Sequence, residues 1–394
     1  MQDNDIVIVS YARTPQGNLL GSLKDVSATT LGATAIQAAV NRANLKPTQI
    51  QEVIMGCVLP AGLGQAPARQ AAIHAGIPTS ANCMTINKVC GSGMKAVMLA
   101  HDSLILGNSE YVIAGGMESM TNAPYLTLKA RQGYRLGHGV FIDHMMWDGL
   151  EDAYETGKAM GCFAETCAED YKFTREDQDH YATTSLERAR KAIDSGSFAA
   201  EIVPVTIKTK QGDIIVDTDE HPYSVKIEKI PQLPSAFIKN GTVTAANSSS
   251  IADGAAALCL MQFHTAKKNN IKPIARMLAH SSFSKSPDQF STAPIDAIKL
   301  LLKKVSWQTD DVDLFEINEA FSVVTLAAMK DLAIPHEKLN VHGGGCALGH
   351  PIGATGARII VTLIAALQKH NLKKGIAALC IGGGEATAVA IELC

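Results

Sequence analysis

Aromatic residues make up only 5% of this 394-residue chain and charged residues only 19%. An interior low in rings and rich in Ala, Val, Ile and Gly suggests closely packed helices and sheets. Neither sign of charge dominates: 35 Lys and Arg face 38 Asp and Glu, a net charge of −3. That excludes the broad basic footprint of a nucleic-acid binder. A phosphate-bearing coenzyme stays possible, because it needs only a local cluster of donors. Long hydrophobic runs are also missing. Stretches such as Ile359–Leu367 fall far short of the roughly 20 residues that span a bilayer, so no membrane partner is expected. The nine cysteines include no C-x-x-C pair, which leaves structural zinc and a redox dithiol unsupported. Met1–Asp5 runs straight into the strand-like Ile6–Val9, so no signal or transit segment is expected, and Cys394 ends no receptor-read address. A reducing, cytoplasmic setting is the simplest expectation.

What is present is a regular alternation of strand-like and helix-like stretches, which argues for a layered α/β architecture. Ile6–Ser10 reads as a strand, Thr30–Ala43 as an amphipathic helix, Ile50–Leu59 as a strand and Gln65–Ala75 as a helix. A tight segment around Cys90 leads into a further helix, and Tyr111–Ala114 reads as a strand ending in Gly115-Gly116. The second half repeats this grammar. Asp296–Val305 is helical and Asp313–Ile317 strand-like; glycine turns at Gly343–Gly345 and Gly349 precede the helical Gly356–Leu367; Ile376–Ile381 is a strand ending in Gly382–Gly384. The recurrence points to a duplicated half of roughly 120 residues, with coincidence between α/β patterns as the alternative. Between the halves lies Met117–Val243, richer in charge, Met and aromatics. Such an insertion reads as a lid or ligand-binding subdomain. Its helix is expected over Arg175–Ser195, opening on the acidic Glu176-Asp177.

Four segments carry residues suited to chemistry. In Asn87–Lys95, Cys90 stands before two glycines and a helical pattern. A helix N-terminus lowers a thiol pKa, and the glycines permit close backbone approach by a ligand. The alternative is a buried structural cysteine. In Gly343–Gly353, His350 sits between glycine turns and Pro351, a stiff setting for a general base or an oxyanion donor; a capping or core histidine is the alternative. Cys380 closes a strand beside Gly382–Gly384, where it could exchange a proton, or could be one more buried thiol. Asn318, in Asn318–Ser322, could fix a water with its amide or simply cap a helix. All four stand at strand ends or glycine turns of the repeated unit, where ligand sites of open α/β sheets lie.

Taken together, Asn87–Gly93, Gly115–Met120, Asn247–Ala257, Asn318–Phe321, Gly343–Gly356 and Cys380–Gly384 resemble the thiolase family over nearly the whole chain. Gly64–Pro67 and Thr85–Cys90 are most similar to its acetoacetyl-CoA-specific subgroup. The resemblance implies a five-layered α-β-α-β-α fold of two duplicated halves with an inserted loop domain. It divides the chain into an N-terminal half (1–120 with 244–268), a loop domain for coenzyme A and the acyl group (121–243) and a C-terminal half (269–394). It implies reversible cleavage of acetoacetyl-CoA, or condensation of two acetyl-CoA, through an acetyl-cysteine, with coenzyme A and acetyl-CoA as substrates and neither cofactor nor metal. Cys90 is similar to the acyl-carrying nucleophile and His350 to the base that activates it. Cys380 resembles the acid/base for the methyl of the second acetyl-CoA. Asn318 is similar to the residue that holds a water which, with His350, makes one oxyanion hole; the resemblance implies that backbone N–H groups of Cys90 and Gly382 make the other. A thiolate attacks a thioester readily and also leaves readily, so acetyl-Cys90 lies near acetyl-CoA in energy.

The resemblance also implies substrate contacts at Met160, Phe290, Ala320, Phe321, Ser249, Ala245, Leu150 and Tyr223, and a homotetramer, since part of Gly137–Met146 is similar to the family's tetramer-forming loop. Three positions depart from the pattern. Ala159 stands where a pocket His is common. No basic residue meets the adenine near Pro222–Ser224, where Tyr223 could stack or Lys226 substitute. Phe290 stands where biosynthetic relatives often carry Met, bordering the acyl pocket with Met160; the pair suggests short chains and resembles enzymes that accept a 2-methyl branch. The alternatives are a broader 3-ketoacyl-CoA thiolase of fatty-acid β-oxidation, a decarboxylating condensing enzyme, which would replace Cys380 by His or Asn, and an inactive acyl-CoA-binding relative.

Overall fold

The computed structural model describes residues 1–394. Its core strands are β1 (Ile6–Arg13), β2 (Glu52–Gly56), β3 (Asn82–Ile86), β4 (Val112–Ser119), β5 (Ala252–Gln262), β6 (Ala275–Ser284), β7 (Leu314–Ile317), β8 (Lys374–Ile381) and β9 (Glu385–Leu393). They form one ten-stranded sheet in the order β7-β8-β9-β6-β1-β5-β4-β2-β3, with the short Gly17–Asn18 pairing β5. The central strands β1, β4, β5 and β8 read as continuous apolar runs because both faces are covered. In β1, Val7 and Val9 join one core while Ile6 and Ile8 join another. In β8, Ile376, Ala378 and Cys380 point one way and Ala377 and Leu379 the other.

The duplication is visible in the pairing. From β1 outward the neighbours are antiparallel (β5), antiparallel (β4), parallel (β2) and parallel (β3). From β6 outward they are antiparallel (β9), antiparallel (β8) and parallel (β7), with Leu339 bridging Phe315 in parallel where a fifth strand would lie. The halves meet at β1 and β6, antiparallel through Ile6–Ile8 and Ala275–Met277. Gly115-Gly116 lies inside β4, whereas Gly382–Gly384 is the turn after β8. The two glycine pairs are therefore not equivalent, and the repeat rests on strand pairing.

Helices fill the layers. On one outer face α1 (Ala28–Arg42) and α2 (Pro67–His74) cover the N-terminal strands. In the middle α3 (Ser92–Ile105) packs on α8 (Thr355–His370), which is buried along its length to Leu367. On the other outer face lie α6 (Ala293–Val305) and α7 (Ser322–Leu332). The insertion contributes α4 (Met160–Tyr171) and α5 (Arg175–Asp194), the latter opened by Thr174 and Asp177 in a reciprocal cap. It is fastened to β1 by Arg13, fully buried between Glu201 at 2.6 Å and Asp219 at 2.7 Å. All nine cysteines are free thiols, and no helix is long and apolar enough to cross a membrane.

Candidate active site

Cys90 precedes the first turn of α3 on a constrained loop. Val89 carries φ +47°, a left-handed conformation that costs a β-branched residue of order 1–3 kcal/mol. Polar bonds hold it there: Asn87 Oδ1 accepts from Val89 N at 2.8 Å, and Ser92 Oγ accepts from Lys88 N at 2.8 Å and donates to Val89 O at 2.7 Å. Lys88 pairs with Glu385 of the C-terminal half. The glycines after Cys90 play a different part from the one expected. A Cβ on Gly93 would stand 2.8 Å from Ala357 N, and one on Gly356 2.3 Å from Met94 N. Gly93 and Gly356 let α3 and α8 touch, and Gly91 makes room for Ile381.

The expected lowering of the Cys90 pKa does not prevail. Burial pushes its thiol up to about 11, although the backbone N–H groups of Gly382 and of Cys90 itself favour thiolate. A base is therefore needed. His350 is buried, its Nδ1 lies 2.6 Å from Thr355 Oγ1, and its Nε2 has no partner. Burial, helped by the Arg358 cation, pushes the imidazole down to about 3, so the resting ring is neutral. Cys380 is 1% exposed, near the end of β8. Burial pushes it well above the usual thiol range, and the neighbouring Cys90 sulfur adds to this. Asn318 follows β7; α7 begins only at Ser322, so it caps nothing, and both its side-chain amide atoms are buried without partners. Two thiols, one from each half, thus lie near one another, and the C-terminal half adds a buried imidazole and a buried amide with unpartnered polar atoms; none of the four lines the cavity among the loop-domain residues.

A cavity of about 540 Å³ lies among Met160, Leu150, Ala245, Ser249, Ala320 and Phe321, within the usual range for a small-molecule site. Met160 also approaches Gly382, its Cε 3.7 Å from where a Cβ would stand. Two expected contacts fall elsewhere. Phe290 is not in this wall; it packs edge-on behind Phe321, centroids 6.2 Å apart, and against Phe163. Tyr223 is also absent from the wall: it is half exposed and its hydroxyl donates to Asp194. Its neighbour His221 lines the cavity instead, beside Asn18, with Nε2 2.7 Å from Ser250 Oγ. Burial pushes His221 down to about 4. Ala159, Phe237 and Met146 complete the apolar wall.

Two carboxylates escaped the sequence reading. Glu118 accepts N–H bonds from Val58 (2.9 Å), Leu59 (3.1 Å) and, across the halves, Gly353 (2.8 Å). Its burial pushes it up to about 7. Glu319 accepts from Tyr181 (3.0 Å), Ser185 (2.7 Å), Asn340 (2.8 Å) and Cys346 N (3.1 Å), fixing the loop before His350 to α5. Both lie inside segments already singled out, but acidic residues read as surface until four buried donors are seen around one of them. A third polar group, on α3 and β6, is self-contained: Asp102 Oδ1 lies 2.8 Å from His280 Nε2 and 3.3 Å from His101 Nδ1.

Comparison with known proteins matches residues 6–264 to the thiolase N-terminal domain and residues 271–393 to the thiolase C-terminal domain. Acetyl-CoA acetyltransferase 2 of Arabidopsis thaliana is 49% identical over 392 residues, covering 99% of this chain and 97% of that one. The crystal structure of the Bacillus anthracis acetyl-CoA acetyltransferase superposes with a TM-score of 0.97 at 43% identity, over 99% of both chains. A thiolase of Ascaris suum in complex with coenzyme A gives 0.93 at 42% identity, over 99% of this chain and 100% of that one.

Proposed function

The chain belongs to the thiolase family, and on that premise we propose that it is an acetyl-CoA C-acetyltransferase working through an acetyl-Cys90 intermediate. The observation that carries the reading is the meeting of halves around one loop: Lys88 pairs with Glu385, Gly91 packs on Ile381, and a Cβ on Gly382 would stand 3.7 Å from Val89, so that Cys90 and Cys380 come from opposite halves to the same place. The name shared by relatives of 43–49% identity over nearly full length supports the substrate, and the cavity supplies room for an acyl-CoA arm.

The steps balance with this chain's own groups. His350 Nε2 takes the Cys90 proton, and the thiolate attacks the thioester carbon of acetyl-CoA. The new C–S bond forms as the bond to coenzyme A breaks, and the departing thiolate takes a proton from Cys380. Burial is what chiefly holds Cys380 protonated, and acetylated Cys90, which carries no charge, no longer adds to it. Cys380 then removes a methyl proton from the second acetyl-CoA. The resulting carbon attacks acetyl-Cys90, the C–S bond breaks, and His350 returns the proton to Cys90. The N–H groups of Cys90 and Gly382 serve one oxyanion, and His350 with a water on Asn318 the other; each such donor is worth about 10²–10³ in rate. Coenzyme A and acetyl-CoA are substrates, and no resident cofactor or metal takes part.

The test is coenzyme-A-dependent cleavage, comparing acetoacetyl-CoA with 2-methylacetoacetyl-CoA and a long-chain 3-ketoacyl-CoA. Acetoacetyl-CoA should give the highest kcat/KM, because the Phe163, Phe290 and Phe321 rings close the space behind Met160. A preference for the long chain would move the enzyme to the β-oxidation type. A homotetramer completes the proposal. β3 is an unpaired sheet edge bearing the exposed Met84, and the segment around the Tyr125–Leu126 and Ile142–Asp143 pair exposes Tyr125, Leu128, Leu136, Val140 and Phe141. Apolar groups so displayed call for a partner surface. Light scattering should return about four times the mass of one chain, and a monomer would exclude the assembly. Nine free thiols suit a reducing, cytoplasmic setting.

A further inference from the structure

We propose that Thr355 is a positioning residue that fixes the tautomer of His350, leaving Nε2 unprotonated toward Cys90. The inference rests on the reading of His350 as the base. Thr355 Oγ1 lies 2.6 Å from His350 Nδ1 and 3.0 Å from the Pro351 carbonyl oxygen. The Pro351 carbonyl oxygen also accepts from the N–H groups of Ala354 and Thr355, each at 2.9 Å; with the single hydroxyl proton of Thr355 shared to that oxygen, the Oγ1 lone pair accepts from Nδ1–H. The opposite tautomer would turn Nε2–H into a buried donor, and Nε2 has no hydrogen-bond partner around it. Which ring nitrogen acts is set by the bond the other one makes.

The rest of the surroundings holds the ring in place. The His350 N–H donates to Ser250 O at 2.8 Å, and Thr355 is itself fully buried at the first position of α8. The same hydroxyl serves the second state of the base. Once Nε2 has taken the Cys90 proton, the imidazolium has two N–H groups, and Nδ1–H keeps its acceptor on Thr355. The residue touches no substrate in this scheme; it acts through His350. The helix start that appears in the sequence only as Gly353–Gly356 thereby supplies the base with its orientation.

The experiment compares T355V, T355S and H350A with wild-type enzyme. Acetylation of Cys90 by acetyl-CoA should slow about 10- to 100-fold in T355V, short of the full ~10²–10⁴ that a general acid–base group contributes. The KM for acetyl-CoA should be unchanged, and the pH profile of Cys90 alkylation by iodoacetamide should move upward. T355S, which keeps the oxygen, should restore most of the rate and the profile. Wild-type acetylation and an unmoved profile in T355V would overturn the proposal, as would an equal loss in T355S. If T355V does not fold, 15N spectra of histidine-labelled wild-type enzyme decide: the His350 signal must show the proton on Nδ1, and a proton on Nε2 overturns the assignment. H350A separates the two levels. Near-normal acetylation there would remove His350 as the base, whereas collapse in H350A with a normal T355V would remove Thr355 alone.

Discussion

Cys90→Ala should abolish the acetyl-enzyme. Incubation with acetyl-CoA followed by intact-mass and peptide analysis should show no acetyl adduct, and turnover should fall by at least about 10⁴-fold, the scale on which enzymes lose rate when a nucleophile is removed. Neither Cys57 nor Cys380 is free to take over. Cys57 is buried against Glu118, which with burial holds its thiol far above the usual range. Cys380 is enclosed and likewise held protonated. The fold should survive, because the loop is held by Asn87, Ser92 and the Lys88–Glu385 pair and not by the Cys90 sulfur. An acetyl group still found on the peptide that carries position 90 would contradict the assignment.

Cys380→Ser should split the two halves of the reaction. Exchange of labelled coenzyme A into acetyl-CoA uses Cys380 only to protonate the departing thiolate, already a good leaving group, and should fall only in part. Condensation, which needs a base for the methyl proton, should fall about 10²–10⁴-fold, because a serine hydroxyl ionises far less readily than a thiol. The substitution is nearly isosteric in a site 1% exposed, so KM for acetyl-CoA should change little. Equal loss in exchange and condensation would argue against a separate proton-transfer role. Partial loss of exchange would locate the proton for the departing thiolate on Cys380, as the scheme above requires.

Much of this architecture could be read before any coordinates. The strands around Val7, Ile54 and Ile376 announce themselves as apolar runs, and Thr30–Ala43 and Asp296–Val305 fall within a few residues of α1 and α6. Cys90, His350, Cys380 and Asn318 stand out because glycines and strand ends surround them. What stayed hidden depended on distant pairing. The function of Gly93 and Gly356 needs the contact between α3 and α8. The displacement of Tyr223 from the cavity wall depends on Asp194, 29 positions away, and that of Phe290 on its edge-on packing against Phe321. Local pattern reports which residues can act; burial decides the sign of the pKa shift, as Cys90 shows, where desolvation outweighs a helix start.

The seam between β1 and β6 has a consequence for how such a centre can be tuned. Only Ile6–Ile8 and Ala275–Met277 join the two halves of the sheet, yet the reacting sulfurs sit on opposite sides of that join. Strand registers change in whole residues, and a shift by one turns every side chain to the opposite face. The distance between the two sulfurs is thus set in discrete steps, like the teeth of a gear. Loops, and the inserted segment with its cavity, are free to vary and redirect the choice of acyl group without detuning the machine that joins two carbons.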